Sequence, residues 1–270
     1  MSWMKNIFGT EKPIIAMLHL GAFPGDPRFE KDGSMENIVA WARKDLTALQ
    51  DGGVDAVIFS NEFSLPYQRN VSPVTIAGMA RTIGELLSDI RIPFGMDVIS
   101  DANASIELAA ATGAKFVRGT FTGAYVGDGG IQNTDAAAIL RRKNDLRLYD
   151  LRLLYFVNQE SDVYINDRDI QSIAKSVIFK CEPDGLCVSG ENAGSAASSE
   201  LISLVKAVSF DVPVFANTGC NAQNIVDKLK ICDGAVVGTA FKENGKFKNH
   251  VDLSRVSEFM RIVKDFRRDN

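Results

Sequence analysis

Residues 13–60, PIIAMLHLGAFPGDPRFEKDGSMENIVAWARKDLTALQDGGVDAVIFS, carry the pattern that decides the fold. The runs 13–20 and 54–60 are apolar nearly throughout. Between them Met35, Ile38, Val39, Ala42, Leu46 and Leu49 recur at i, i+3, i+4 and i+7, the single buried stripe of an amphipathic helix. Ser34 stands where a hydroxyl caps the helix start, and Gly52-Gly53 where the chain leaves it. Strand, helix and strand in this order make a βα unit with a right-handed crossover. Strands that lack polar alternation are buried on both faces, which places a parallel sheet beneath an outer layer of helices.

Outward from this unit the same alternation returns about eight times, with strands predicted at 92–99, 115–119, 152–157, 185–189, 213–217 and 234–238. Helical stripes follow in Ile76/Ala80/Ile83/Leu87 after a Ser72-Pro73 start, in Ile170/Ile173/Ala174/Val177, in Leu201/Leu204/Val205/Val208 and in Val256/Phe259/Met260/Val263. Eight units within 270 residues predict a (β/α)8 TIM barrel, one domain over residues 1–270. An open doubly wound sheet is the alternative, but no GxGxxG follows the first strand. Trp3, Met4, Ile7 and Phe8 share one helical face, so a short N-terminal helix over about residues 1–10 is expected to close the barrel floor in preference to lying on a membrane. The Gly-rich connection 120–134 reads as a surface loop, placed where a mobile lid would sit.

Composition narrows the function. Hydrophobic residues at 46% and charged residues at 24% are ordinary globular values. A net charge of −4 without a basic cluster argues against nucleic acid as a partner. No apolar run reaches the roughly 18 residues of a membrane span, so no membrane insertion is expected. Cys181, Cys187, Cys220 and Cys232 have no CxxC spacing and read as reduced thiols of a cytoplasmic protein. Barrels commonly associate through outer helices or loops, which leaves a homo-oligomer open.

In such a barrel the site lies at the C-terminal strand ends. The polar residues there are His19, Asn61 and Glu62, Asp97 with Asp101 just beyond, Arg118 and Thr120, Asn158, Ser189, and Asn217 with Thr218. His19, one of two histidines, suits general acid–base work, although an isolated histidine is also a common structural residue. Glu62, Asp97 and Asp101 are the candidate proton-exchanging carboxylates, and Arg118 is the candidate for stabilising developing negative charge. Asn61, Thr120, Asn158 and Ser189 are expected to bind substrate. No cofactor is evident; a divalent metal on His19, Glu62 and Asp97 is the weaker alternative, since no HxH or HExxH spacing occurs. Lys242 is the one lysine at a predicted strand end, which disfavours Schiff-base chemistry.

The strongest local signal is the pair of segments PVFANTGCN (213–221) and GAVVGTAFK (234–242). Gly-containing loops after the last two strands turn backbone N–H groups towards an anion in many barrels, while single glycines often serve only tight turns. Asn217, Thr218, Gly219, Gly238, Thr239 and Lys242 are the expected phosphate-binding set, and a small phosphorylated molecule the expected ligand.

The segments KPIIAMLHLGAFPGDP (12–27), GGVDAVIFSNEFSLPY (52–67), GAKFVRG (113–119), DGLCVSG (184–190), VPVFANTG (212–219) and DGAVVGTAFKENGKFKNHVDLSRVSEFM (233–260) resemble the BtpA family nearly end to end, closest to its SgcQ-type bacterial members. The resemblance implies a barrel fold. It also implies two readings of function. SgcQ-type members resemble products of carbohydrate-phosphotransferase gene clusters, which fits an isomerase, lyase or hydrolase of a phosphorylated sugar, sugar derivative or nucleotide. Another branch is linked to photosystem I accumulation, which fits a non-catalytic ligand-sensing or assembly-factor barrel. Family members usually carry Asn-Asp after strand three and Arg-x-Asn at the end of strand four. This chain has Ser100-Asp101 and Arg118-Gly119-Thr120, so Asp101 and Arg118 carry over without the amides.

Overall fold

The computed structural model describes residues 3–192 and 194–269; Met1 and Ser2, the start of the expected N-terminal extension, lie outside them, as do Ala193 and Asn270. Eight parallel strands close into a barrel: β1 (Ile14–His19), β2 (Ala56–Ser60), β3 (Phe94–Asp97), β4 (Phe116–Gly119), β7 (Arg152–Phe156), β9 (Gly185–Val188), β10 (Val214–Ala216) and β11 (Gly234–Val237), with β1 pairing β11. The outer layer is α2 (Met35–Gly52), α3 (Pro73–Leu86), α4 (Ala102–Thr112), α5 (Ala136–Asp145), α6 (Ile170–Cys181), α7 (Ser199–Lys206), α8 (Ile225–Leu229) and α9 (Leu253–Asp269). Ser34 caps α2 by accepting from the Asn37 N–H, and Gly53 ends it in the left-handed region. No helix among the described residues is long and apolar enough to cross a membrane.

The core divides into two clusters because a barrel strand alternates between two buried faces. Outward side chains such as Leu18, Phe59, Val117 and Val237 meet the helices. Inward ones, Ile15, Met17, Ala56, Ile58, Phe116, Leu154, Cys187, Phe215 and Val236, fill the barrel. Helix α1 (Trp3–Phe8) inserts Met4 and Phe8 into the inner cluster, with Phe8 edge-on to Phe116 at 5.3 Å between ring centroids. Met4 and Phe8 thereby cover the floor of the barrel.

The connection 120–134 is not a plain loop. It forms a hairpin of β5 (Ala124–Gly127) and β6 (Gly130–Asn133), and β8 (Asp162–Tyr164) joins it as a three-stranded antiparallel sheet beside the mouth. Tyr125 and Gln132 are buried on one face of this sheet, while Val126, Ile131 and Val163 stand exposed on the other. Its neck is tied by the Thr134 N–H and hydroxyl, both donating to the Gly123 carbonyl.

Candidate functional site

Continuing the inward alternation by one step past the apolar layers gives the mouth. Positions 15 and 17 lead to His19, 58 to Ser60, 116 to Arg118, 154 to Phe156, 187 to Ser189, 215 to Asn217 and 236 to Gly238. A layer that packing alone would fill with Val or Leu is here made mainly of hydrogen-bonding groups, with Phe156 and Gly238 the exceptions.

These groups form one buried network. Arg118 donates from Nε (3.0 Å) and Nη2 (2.6 Å) to Asp97 Oδ2, and from Nη1 to Asn217 Oδ1 at 2.9 Å. Asn217 Nδ2 donates to Ser189 Oγ at 2.9 Å. The guanidinium carbon lies 5.1 Å from the centre of the Phe156 ring. Three of the five guanidinium N–H donors are engaged in this network, which leaves two for a ligand. Glu62 takes the Ser60 hydroxyl on Oε2 at 2.8 Å, and its backbone carbonyl accepts from Tyr67 Oη at 3.1 Å.

Burial raises Glu62 and Asp97 above the usual carboxylate range, against the pull of Arg118. Glu160, in the segment after β7, is raised by burial and by the charges of Glu62 and Asp97. His19 moves the other way: burial, then the charges of Lys242 and Arg118, hold it well below its ordinary value. Its imidazole is therefore neutral near pH 7, and its Nδ1 is buried with no hydrogen-bond partner among the described residues. Rings cover it, Phe247 at 5.2 Å and Phe63 at 6.3 Å between centroids.

The mouth thus gathers His19, Glu62, Asp97, Arg118, Ser189, Asn217 and Gly238 from distant parts of the chain. Other expected residues have structural duties. Both oxygens of Asp101 are taken by backbone N–H groups, Oδ1 by Ala104 at the start of α4 and Oδ2 by Val71, so it caps a helix and pins a loop where catalysis was expected. Lys242 is not a free anion donor: it is fully buried, and its Nζ lies 2.8 Å from Oδ2 of the equally buried Asp45. Thr218 Oγ1 accepts from the Gly190 N–H and donates to the Ser195 carbonyl, which spends it on a loop–loop clasp. Asn158 clips the Ser189 backbone at both N–H and carbonyl, and Asn61 accepts from the Ile99 N–H. Thr120 accepts from Gln159, which also donates to Gln132.

The anion loops keep part of the expected geometry. Gly219 has φ +65°, and a Cβ there would collide with the Ala196 backbone, so glycine is required for the two loops to touch. Among the described residues nothing accepts from the N–H groups of Gly219 or Cys220. At Gly238 an added Cβ would reach the mouth, 3.3 Å from His19 Nε2, and Thr239 opens a short 3₁₀ turn (Thr239–Phe241) beyond it. The metal alternative on His19, Glu62 and Asp97 is not assembled: among the described residues no three His, Cys, Asp or Glu side chains gather closely enough to hold a metal ion.

Glu160, Tyr67, Phe63 and Phe247 escaped the sequence reading because they sit in irregular segments, where no periodicity assigns a direction to a side chain. Asp45 did leave a trace. It falls at i+3 from Ala42, inside the apolar stripe of α2, where an unpaired carboxylate would be costly.

A closed parallel barrel with a hydrogen-bonded polar mouth is the architecture of many small-molecule enzymes. The chain belongs to the BtpA family, whose model matches residues 10–265. It is 50% identical over 268 residues to the putative sgc region protein SgcQ of Escherichia coli K12, covering 99% of this chain and 100% of that protein. It is 27% identical to the photosystem I biogenesis protein BtpA of Synechocystis, covering 96% and 90% of the two chains. Among solved structures it superimposes with a TM-score of 0.60 on the geranylgeranylglyceryl phosphate synthase of Thermoplasma acidophilum in complex with sn-glycerol-1-phosphate, covering 97% of each chain at 12% identity, which shows the shared fold.

Proposed function

We propose that this barrel is an enzyme acting on a small phosphorylated sugar, sugar derivative or nucleotide. The observation that carries the proposal is the Asp97–Arg118–Asn217–Ser189 network buried across the mouth beside the unpartnered imidazole nitrogen of His19. Well-packed apolar residues would stabilise that layer at least as well as a buried ion pair, so retention of the polar groups points to a ligand they meet.

In this reading the phosphate lies against the N–H groups of Gly219 and Cys220 and the turn at Gly238 and Thr239. The solved barrel bound to sn-glycerol-1-phosphate supports this by fold analogy alone. Arg118 faces charge that develops on a carbonyl or hydroxyl oxygen. Neutral His19 accepts a proton, and one of the carboxyls raised by burial, Glu62 or Glu160, exchanges it. Isomerase, lyase and hydrolase chemistry all use that set.

Thermal unfolding of the purified protein against phosphorylated sugars, nucleotides and inorganic phosphate is the test. A ligand present at a hundred times its Kd stabilises by about 2.7 kcal/mol, a rise in Tm on the order of 5 °C for a chain of this size. The expected result is a selective rise that disappears in Gly238→Val, whose side chain fills the space in front of His19. A folded protein that responds to no phosphorylated compound overturns the proposal.

A further inference from the structure

Beside the mouth lies a cavity of about 370 Å³ whose lining joins the segment after β1 to the loop 242–251. We infer that it is a second subsite, taking a planar aromatic group of an anionic ligand; resting on the function proposed above, this makes the substrate an aryl or heterocyclic phosphate-bearing molecule. Phe29, Trp41 and Phe63 supply aromatic walls, and the volume falls within the range of pockets that hold small organic ligands.

The walls are held in place. The Trp41 indole stacks on the His250 imidazole, 3.5 Å between centroids and 23° between planes. His250 Nδ1 lies 2.7 Å from Asp45 Oδ1, and Asp45 is the partner of buried Lys242. One chain of contacts, rooted in the buried Asp45–Lys242 pair, therefore fixes an aromatic wall and anchors the root of the loop that carries Phe247 and Lys248. The loop is closed at that root by an antiparallel bridge between Lys242 and Val251. A rigid aromatic surface binds a flat ring at small conformational cost.

The cavity adjoins the mouth across Phe63. Gly21 and Ala22, two of its lining residues, follow His19 by two and three positions. Phe63 is a shared partition, lining the cavity while its ring packs on Phe247 at 5.1 Å and faces His19. A ligand with its phosphate at Gly238 and its centre at His19 extends its other end past Phe63.

Charge selects the class of ring. Arg28 and Lys248 line the cavity and make no ion pair with any described residue, even though Glu30 lines it too. Two uncompensated cations against one carboxylate favour an anion, and guanidinium beside aromatic walls favours a flat one.

Sequence composition makes the test direct, because the chain has two tryptophans, and Trp3 lies at the barrel floor. In full-length Trp3→Phe, all indole emission comes from Trp41. 4-Carboxyphenyl phosphate, whose ring carries an anion at the end away from the phosphate, is expected to change that emission saturably and, by calorimetry, to bind at least about tenfold tighter than glycerol phosphate. Lys248→Ala and Arg28→Ala should each weaken 4-carboxyphenyl phosphate several-fold and leave glycerol phosphate unchanged. Equal binding of the two compounds with unmoved Trp41 emission overturns the subsite and leaves the phosphate reading intact. A response of Trp41 to benzoate, with no binding of either phosphate, supports the subsite and removes the phosphate reading. No binding of any of the three overturns both. Should Trp3→Phe fail to fold, 5-fluorotryptophan-labelled wild type gives the same answers by fluorine NMR.

Discussion

An imidazole buried between cations resists protonation, and His19 makes this a measurable property of the folded state. In the unfolded chain its pKa is near 6.5, whereas the native pKa is well below that. As pH falls below about 6.5 the unfolded state takes up a proton that the folded state refuses, so stability declines by up to about 1.4 kcal/mol per pH unit until the native pKa is passed. Urea unfolding between pH 7 and 5 should therefore show a steeper acid loss in wild type than in His19→Asn; parallel losses would sink the assignment. The position of His19 was legible because it stands at the C-terminal end of the first apolar run, where a barrel carries its site. The role of Lys242 was not. Its place after the last strand says mouth, but the 3₁₀ turn before it leads the side chain to Asp45 on α2, a meeting of residues 197 positions apart that no local pattern encodes.

At the scale of elements, helix stripes and caps transfer from sequence to structure because they are local: Ser34, Pro73 and Gly53 mark the ends they were expected to mark. The hairpin of β5 and β6 was missed because its strands have four residues each around a Gly-rich turn, too short for a period of two to register. Contacts between helices are likewise silent in one dimension. At Gly52 the last turn of α2 meets α9 so closely that a Cβ would overlap the Val256 side chain. Gly52→Ala gains helix propensity of about 1 kcal/mol yet should lose more to overpacking, a net destabilisation on the order of 1–2 kcal/mol. Chemical denaturation of the single variant and of Gly52→Ala with Val256→Ala checks this: the second substitution should recover most of the coupling.

For the molecule as a whole, eight βα units were sufficient to favour closure over an open sheet, and in the closed barrel seven of the eight strands, all but β3, send apolar side chains inward as well as outward. The floor is part of that core. Phe8→Ala should cost about 3 kcal/mol by opening a void against Phe116, seen as a lower denaturation midpoint, while ligand binding at the opposite end stays unchanged once the variant is folded. With the interior filled by side chains and Met4 and Phe8 set into the base, the barrel has a single open rim. On the proposed function, traffic is two-way through one doorway: a departing molecule must clear it before the next arrives. In any reaction that joins or parts two molecules, whichever lies deeper against Arg118 is first in and last out.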